Sequence, residues 1–166
     1  MTSTDDLIKN NQSYAAASSS FSRANASATP MKRVAVVACM DARVNVFELL
    51  GLQEGDAHVI RNAGGVVTDD VIRSLTISQR LLGTREVVLI HHTDCGMLSV
   101  AEEELRAEIE ADTGVRPPFD LGVFDDLEAD VRESIARIQA SLFIPNKTAV
   151  RGFVLDLKTG ELNEVV

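Results

Sequence analysis

Apolar residues along this chain gather into short unbroken runs separated by stretches with a helical repeat. Residues 34–38 are continuously apolar, and 46–50 follow before Gly51. A second short run occupies 57–60, and a third, 86–91, carries Val87, Val88, Leu89 and Ile90. Runs of this length without polar alternation fit strands buried on both faces. Residues 69–82 instead place Val71, Ile72, Leu75 and Leu82 on one helical stripe and stop at Gly83. Short strands separated by helices imply βαβ units, hence an α/β fold with a mostly parallel central sheet flanked by helices.

The spacing predicts two further helices, at 98–112 with Leu105 and Ile109 turned inward, and at 124–142 on Phe124, Leu127, Val131, Ile135, Ile138 and Leu142. Pro117 and Pro118 separate them, 150–157 reads as a fourth core strand, and the turn at 158–161 folds 162–166 back beside it. Ile77 and Leu81 lie off the main stripe of 69–82, so that helix is expected to be covered twice. Either a subunit interface or full enclosure within one chain would do this, and the interface is preferred.

The first thirty residues differ in kind. Thr4 precedes Asp5, Asp6, Leu7 and Ile8, with Tyr14 further on, which suits a short capped helix. Such a helix is marginal alone and should lie against the domain or a second subunit. Residues 15–30 hold six Ala and five Ser before Pro30, a composition too small and polar to bury much surface. The expected organisation is therefore an arm at 1–30 and one α/β domain at 31–166.

Composition narrows the functions. At 166 residues and 45% hydrophobic, the chain can furnish one core without disulfides. A formal charge of −9 argues against gripping nucleic acid or anionic lipid. No stretch approaches the ~20 apolar residues that cross a bilayer, and no basic start leads an apolar run, so a soluble, cytoplasmic protein is expected. The two cysteines are too few for a bridge-dense scaffold, so their neighbours must explain them.

Those neighbours carry the chemistry. Cys39-Met40-Asp41-Ala42-Arg43 and His92-Thr93-Asp94-Cys95-Gly96 each begin where an apolar strand ends. Open parallel sheets place ligand sites at the carboxyl ends of their strands, so the two segments can meet. Two Cys and one His form a borderline-soft donor set that favours zinc over magnesium or calcium, and three ligands leave a fourth position for water or substrate. Buried apolar cysteines or a redox pair are the plainer alternatives.

His91 should face away from His92, and His58 lies inside another strand, so core or surface roles suit both. Asp41 and Arg43 alternate with Cys39 in what reads as an extended segment. They form either a surface ion pair or a metal-side pair in which the arginine keeps the aspartate ionised to orient bound hydroxide. Arg61-Asn62-Ala63-Gly64-Gly65 offers close backbone approach at its glycines or is a plain turn.

Taken together, the C-x-D-x-R, R-N-A-G and H-x-x-C segments, in this order, resemble the signature of the β-carbonic anhydrases, from about Val34 to the C-terminus. The resemblance implies four parallel strands with an antiparallel edge strand, and at least a dimer, with the arm at 1–30 packing across the partner subunit. It implies zinc held by Cys39, His92 and Cys95, Asp41 and Arg43 as the catalytic dyad, and a substrate pocket near Gly64 and Gly96. The implied reaction is reversible hydration of CO2 to bicarbonate and a proton, with no cofactor beyond zinc. In such proteins the aspartate either pairs with its arginine or occupies the fourth zinc position, and the sequence leaves both open for Asp41.

Ala42 replaces a frequent serine, Met97 a frequent glycine, and the chain has no Trp, so a Trp-lined regulatory bicarbonate pocket is not expected. These features resemble the compact branch that includes carbonyl sulfide hydrolases, which makes hydrolysis of carbonyl sulfide to hydrogen sulfide and CO2 the main alternative. A non-catalytic zinc or thiol-switch protein is a third reading, against which Asp41 and Arg43 weigh, since holding a metal needs neither.

Overall fold

The computed structural model describes residues 2–17 and 27–166. Most of the linker expected at 15–30 therefore lies outside the described residues. The elements run α1 (Ser3–Ala17), β1 (Val34–Cys39), α2 (Val46–Leu50), β2 (Ala57–Asn62), α3 (Asp69–Arg80), β3 (Glu86–His92), α4 (Glu102–Thr113), α5 (Leu127–Ala140), β4 (Val150–Leu155) and β5 (Leu162–Val165). Single 3₁₀ turns follow β2 at Ala63–Gly65 and β3 at Gly96–Leu98.

The five strands form one sheet in the order β2-β1-β3-β4-β5. The first four are parallel, and β5 returns antiparallel on β4, pairing Leu155 with Leu162. Strand alternation divides the apolar runs between two cores. Ala35, Val37, Val87 and Leu89 pack under α3 and α5 with Val71, Leu75 and Ile138, while Val36, Ala38 and Ile90 face Val44, Val46 and Leu52 on the other side. Full burial of Leu75, Leu89 or Ile138 contributes roughly 1.5–3 kcal/mol each. At β4 the helix comes so close that a Cβ on Gly152 would overlap Val131 of α5.

Several boundaries differ from the sequence reading, each for a local reason. Asp126 accepts the Ala129 N–H at 2.9 Å and caps α5, so Phe124 precedes the helix, and Leu142 lies beyond it, 85% exposed. Ser99 folds back on the Gly96 carbonyl through both its N–H and its hydroxyl, which delays α4 to Glu102. Ile77 and Leu81 are 42% and 73% exposed, so the described residues do not enclose them within one chain. α1 buries no residue at all.

Candidate metal centre

The parallel register sets the site. Ala38 stands opposite Ile90, and Cys39 opposite Asn62, so the last residues of β1, β2 and β3 reach the same edge of the sheet. Cys39, His92 and Cys95 are all buried there, and their donor atoms lie within 4.8 Å of one another. The two Sγ atoms are 4.0 Å apart. Thiolates bound to one tetrahedral zinc at ~2.3 Å would stand about 3.8 Å apart, so little movement is needed.

His92 carries the clearest sign that a metal belongs here. Its Nδ1 donates to the Thr93 carbonyl at 2.8 Å, which leaves Nε2 with a bare lone pair. That Nε2 is buried and has no hydrogen-bond partner among the described residues. An orphaned buried acceptor is costly, and a metal facing the two sulfurs removes the cost. The Thr93 turn is itself fixed to β4, its N–H on the Leu155 carbonyl at 2.9 Å and its hydroxyl accepting the Leu157 N–H at 3.0 Å. Burial pushes the Cys95 thiol up to about 11, with the neighbouring Cys39 adding to the shift. A zinc ion would displace that proton, since the thiolate is the ligand form.

Asp41 is not in the extended segment expected for it. The strand stops at Cys39, and Asp41 opens a tight turn, its carbonyl taking the Val44 N–H and its carboxylate the Arg43 N–H at 2.9 Å. The turn brings the Arg43 side chain back onto the same carboxylate, Nε to Oδ1 at 3.0 Å and Nη2 to Oδ2 at 2.7 Å. This fork holds the Asp41 carboxyl far below the usual carboxylate range and raises the already high value of Arg43. Both Asp41 oxygens are thus on Arg43, with Oδ2 3.8 Å from His92 Nε2.

Two groups escaped the sequence reading. Arg61, noted there only as part of a glycine-bearing turn, donates Nε to the Cys39 carbonyl at 2.9 Å and Nη2 to the Asp41 carbonyl at 2.7 Å, strapping the whole Cys39–Asp41 turn to β2. Its signal was its place, at the carboxyl end of a strand beside the one bearing Cys39. Asp94 meets Arg43 from the other segment, Oδ2 to Nη1 at 2.8 Å and its carbonyl to Nη2 at 2.9 Å.

The glycines differ in their parts. A Cβ on Gly65 would sit 2.8 Å from the Cys39 amide nitrogen, and its φ of +75° also favours glycine. Gly65 thus allows β1 and the β2 turn to close on each other. Gly64 leaves room for the Phe124 ring and the Met97 side chain, whereas Gly96 has open space around it. Phe124, with Val66, Met97, Leu98 and Leu127, packs on the two cysteines and forms an apolar wall. Behind it, His91 lies 5.4 Å from the Phe124 ring and bonds Asp130 of α5 through Nε2 at 2.5 Å, the core placement expected of it. His58 bonds Ser78 and the Ala28 carbonyl, away from the metal centre.

Comparison with known proteins agrees with this geometry. The family profile described as Carbonic anhydrase matches residues 34–117. The chain is 53% identical over 165 residues, 99% of both proteins, to β-carbonic anhydrase 1 of Mycobacterium tuberculosis. It is 34% identical over 158 residues, covering 80% of this chain and 77% of the other, to a carbon disulfide hydrolase of Saccharolobus solfataricus. A crystal structure of carbonic anhydrase from Streptococcus mutans superposes with a TM-score of 0.90 at 43% identity, covering 100% of this chain and 99% of that one. By sequence along its whole length and by fold, the chain belongs to the β-carbonic anhydrase family.

Proposed function

We propose that this chain is a zinc-dependent carbonic anhydrase, catalysing CO2 + H2O ⇌ HCO3⁻ + H⁺, with Cys39, His92 and Cys95 as metal ligands and Asp41 and Arg43 as the catalytic dyad. The observation that carries the reading is the buried, unpartnered Nε2 of His92 facing two cysteine sulfurs. Zinc, when bound, lowers the pKa of water toward neutrality and so supplies hydroxide.

The chain's own residues do the rest. Asp41 would accept a hydrogen bond at Oδ2, the oxygen 3.8 Å from His92 Nε2, and so orient the attacking water or hydroxide. Arg43 keeps that aspartate an anion and therefore an acceptor. Val66, Leu98 and Phe124 give an apolar solvent to CO2, which needs no charged partner to bind. Bicarbonate, the polar product, gains little from this wall and leaves for water.

Hydrolysis of carbonyl sulfide to hydrogen sulfide and CO2 is the second reading, supported by relatives named carbon disulfide hydrolases. The linear sulfur substrates would meet the same ligands and the same wall. Stopped-flow CO2 hydration by zinc-loaded protein, run beside carbonyl sulfide and carbon disulfide consumption, separates the two. Rapid hydration with slow sulfide release is expected. The reverse order would transfer the assignment to the hydrolase, and inactivity toward all three substrates would leave only a zinc-binding or thiol-switch role.

The arm bears on assembly. α1 exposes Leu7, Ile8 and Tyr14 at 66%, 57% and 50%, and α3 exposes Ile77 while Leu81 is exposed just beyond its end. A helix of 15 residues with no buried side chain needs cover, which a second copy of the chain supplies in a homodimer or a dimer of dimers. Among the described residues no helix is long and apolar enough to cross a membrane, and a cytoplasmic location is part of the proposal.

A further inference from the structure

Between the two ligand residues of the H-x-x-C turn stands a residue whose backbone is unusual. Asp94 has φ +56°, and among the described non-glycine residues only Arg33 shares a positive φ. Asn and Asp tolerate this region better than other side chains, but glycine adopts it more easily. Its side chain is 83% exposed, so burial does not account for the conformation.

What the conformation achieves is visible at Arg43. One residue delivers two acceptors to one guanidinium, the Asp94 carboxylate on Nη1 at 2.8 Å and the Asp94 carbonyl on Nη2 at 2.9 Å. Asp41 takes Nε and the other bond of Nη2. The guanidinium is therefore held at all three nitrogens from two segments 51 positions apart in sequence. A planar fork fixed on both sides can neither rotate nor withdraw, and its Asp41-facing edge is preorganised. An exposed ion pair alone contributes little to stability, so the consequence to look for is geometric.

We infer that Asp94 is a positioning residue that clamps Arg43 across the two metal-binding segments and so fixes the plane in which Asp41 is presented to the reacting water. The inference rests on the carbonic anhydrase reading for its catalytic consequence, and on the Arg43 contacts for the clamp itself. Asp94 touches neither substrate nor metal in this scheme. The clamp also ties the Cys39 segment to the Cys95 segment independently of the metal.

The experiment compares Asp94→Gly and Asp94→Asn with the wild-type zinc-loaded protein. Glycine suits φ +56° and keeps the carbonyl contact but deletes the carboxylate, whereas asparagine keeps the conformation and an acceptor oxygen. Asp94→Gly should retain one zinc per chain and an unchanged or higher melting temperature, yet lose about tenfold in kcat with less than about twofold change in KM, as expected when a remote contact misplaces a reacting group. Asp94→Asn should recover to within about threefold of wild type.

A second readout needs no turnover. In nitrogen-15 NMR the Arg43 Nη resonances should be separate in wild type and Asp94→Asn, and averaged by guanidinium rotation in Asp94→Gly. Wild-type kcat in Asp94→Gly, or Arg43 resonances that stay separate in it, would overturn the clamp. Loss of zinc in Asp94→Gly with no change at Arg43 would likewise overturn it. A wild-type protein inactive on every substrate tested would instead remove the functional reading, and the Arg43 resonances would then decide the clamp on their own.

Discussion

The carboxyl edge of the sheet and the N-terminal arm are built on opposite principles. At the edge, polar groups bind across segments: Arg61 on two carbonyls, Thr93 on the Leu157 N–H, Arg43 on two aspartates, with Cys39, His92 and Cys95 buried between them and His92 Nε2 left for a metal. In the arm, a 15-residue helix has no buried side chain and turns Leu7, Ile8 and Tyr14 outward. The contrast separates what one chain settles alone from what it leaves to an assembly. Ligand placement belongs to the first class, and under the assembly proposed above the helix belongs to the second.

Removing a ligand should break the edge most severely. Cys39→Ser or Cys95→Ser is expected to abolish stoichiometric zinc by metal analysis and to bring CO2 hydration down to background, because an alcohol at neutral pH is a far weaker donor than a thiolate. Asp41→Asn is expected to keep the zinc and lose about a hundredfold or more in kcat, the scale of an acid–base or orienting group. Full activity in that variant would remove Asp41 from the mechanism.

Charging the arm should leave the edge intact. A Leu7→Asp, Ile8→Asp double variant is expected to lower the solution mass by light scattering to that of a monomer while zinc stays at one per chain. A mass unchanged from wild type would mean that α1 is covered in some other way.

The smallest effect concerns protons in the metal-free protein. The folded Cys95 thiol is pushed up to about 11 by burial, above the ordinary ~8.5 of an unfolded cysteine. The folded state therefore holds this proton more tightly, so the associated stability is present below about pH 8.5 and is lost as pH rises through about 11. The melting temperature of metal-free protein should fall across that window, more steeply than in metal-free Cys95→Ser. Equal slopes would show that the thiol does not contribute.

Most of the sheet was legible because its strands are short apolar runs buried on both faces, a pattern that few other elements produce. The strand ends then located the metal centre, since a parallel sheet gathers its carboxyl termini and Cys39, His92 and Cys95 each stand just past one or at its last residue. Helix ends were less legible. Phe124 keeps helical spacing with Leu127 and Val131, yet Asp126 caps the helix at the free Ala129 N–H and leaves Phe124 to pack on the cysteines. Asp41 was read as extended because alternation ignores side chains that bond their own backbone, and its carboxylate does so at the Arg43 N–H. Asp94 and Arg61 were missed because their partners lie 51 and 20 or more positions away, and spacing carries no record of such contacts.

What surrounds the metal is tested most directly by zinc K-edge X-ray absorption of the purified protein. One zinc per chain is expected, with two sulfur neighbours at about 2.3 Å and the remaining nitrogen and oxygen neighbours at about 2.0–2.1 Å. A zinc shell containing no sulfur, or protein that binds no zinc after metal loading, would contradict it.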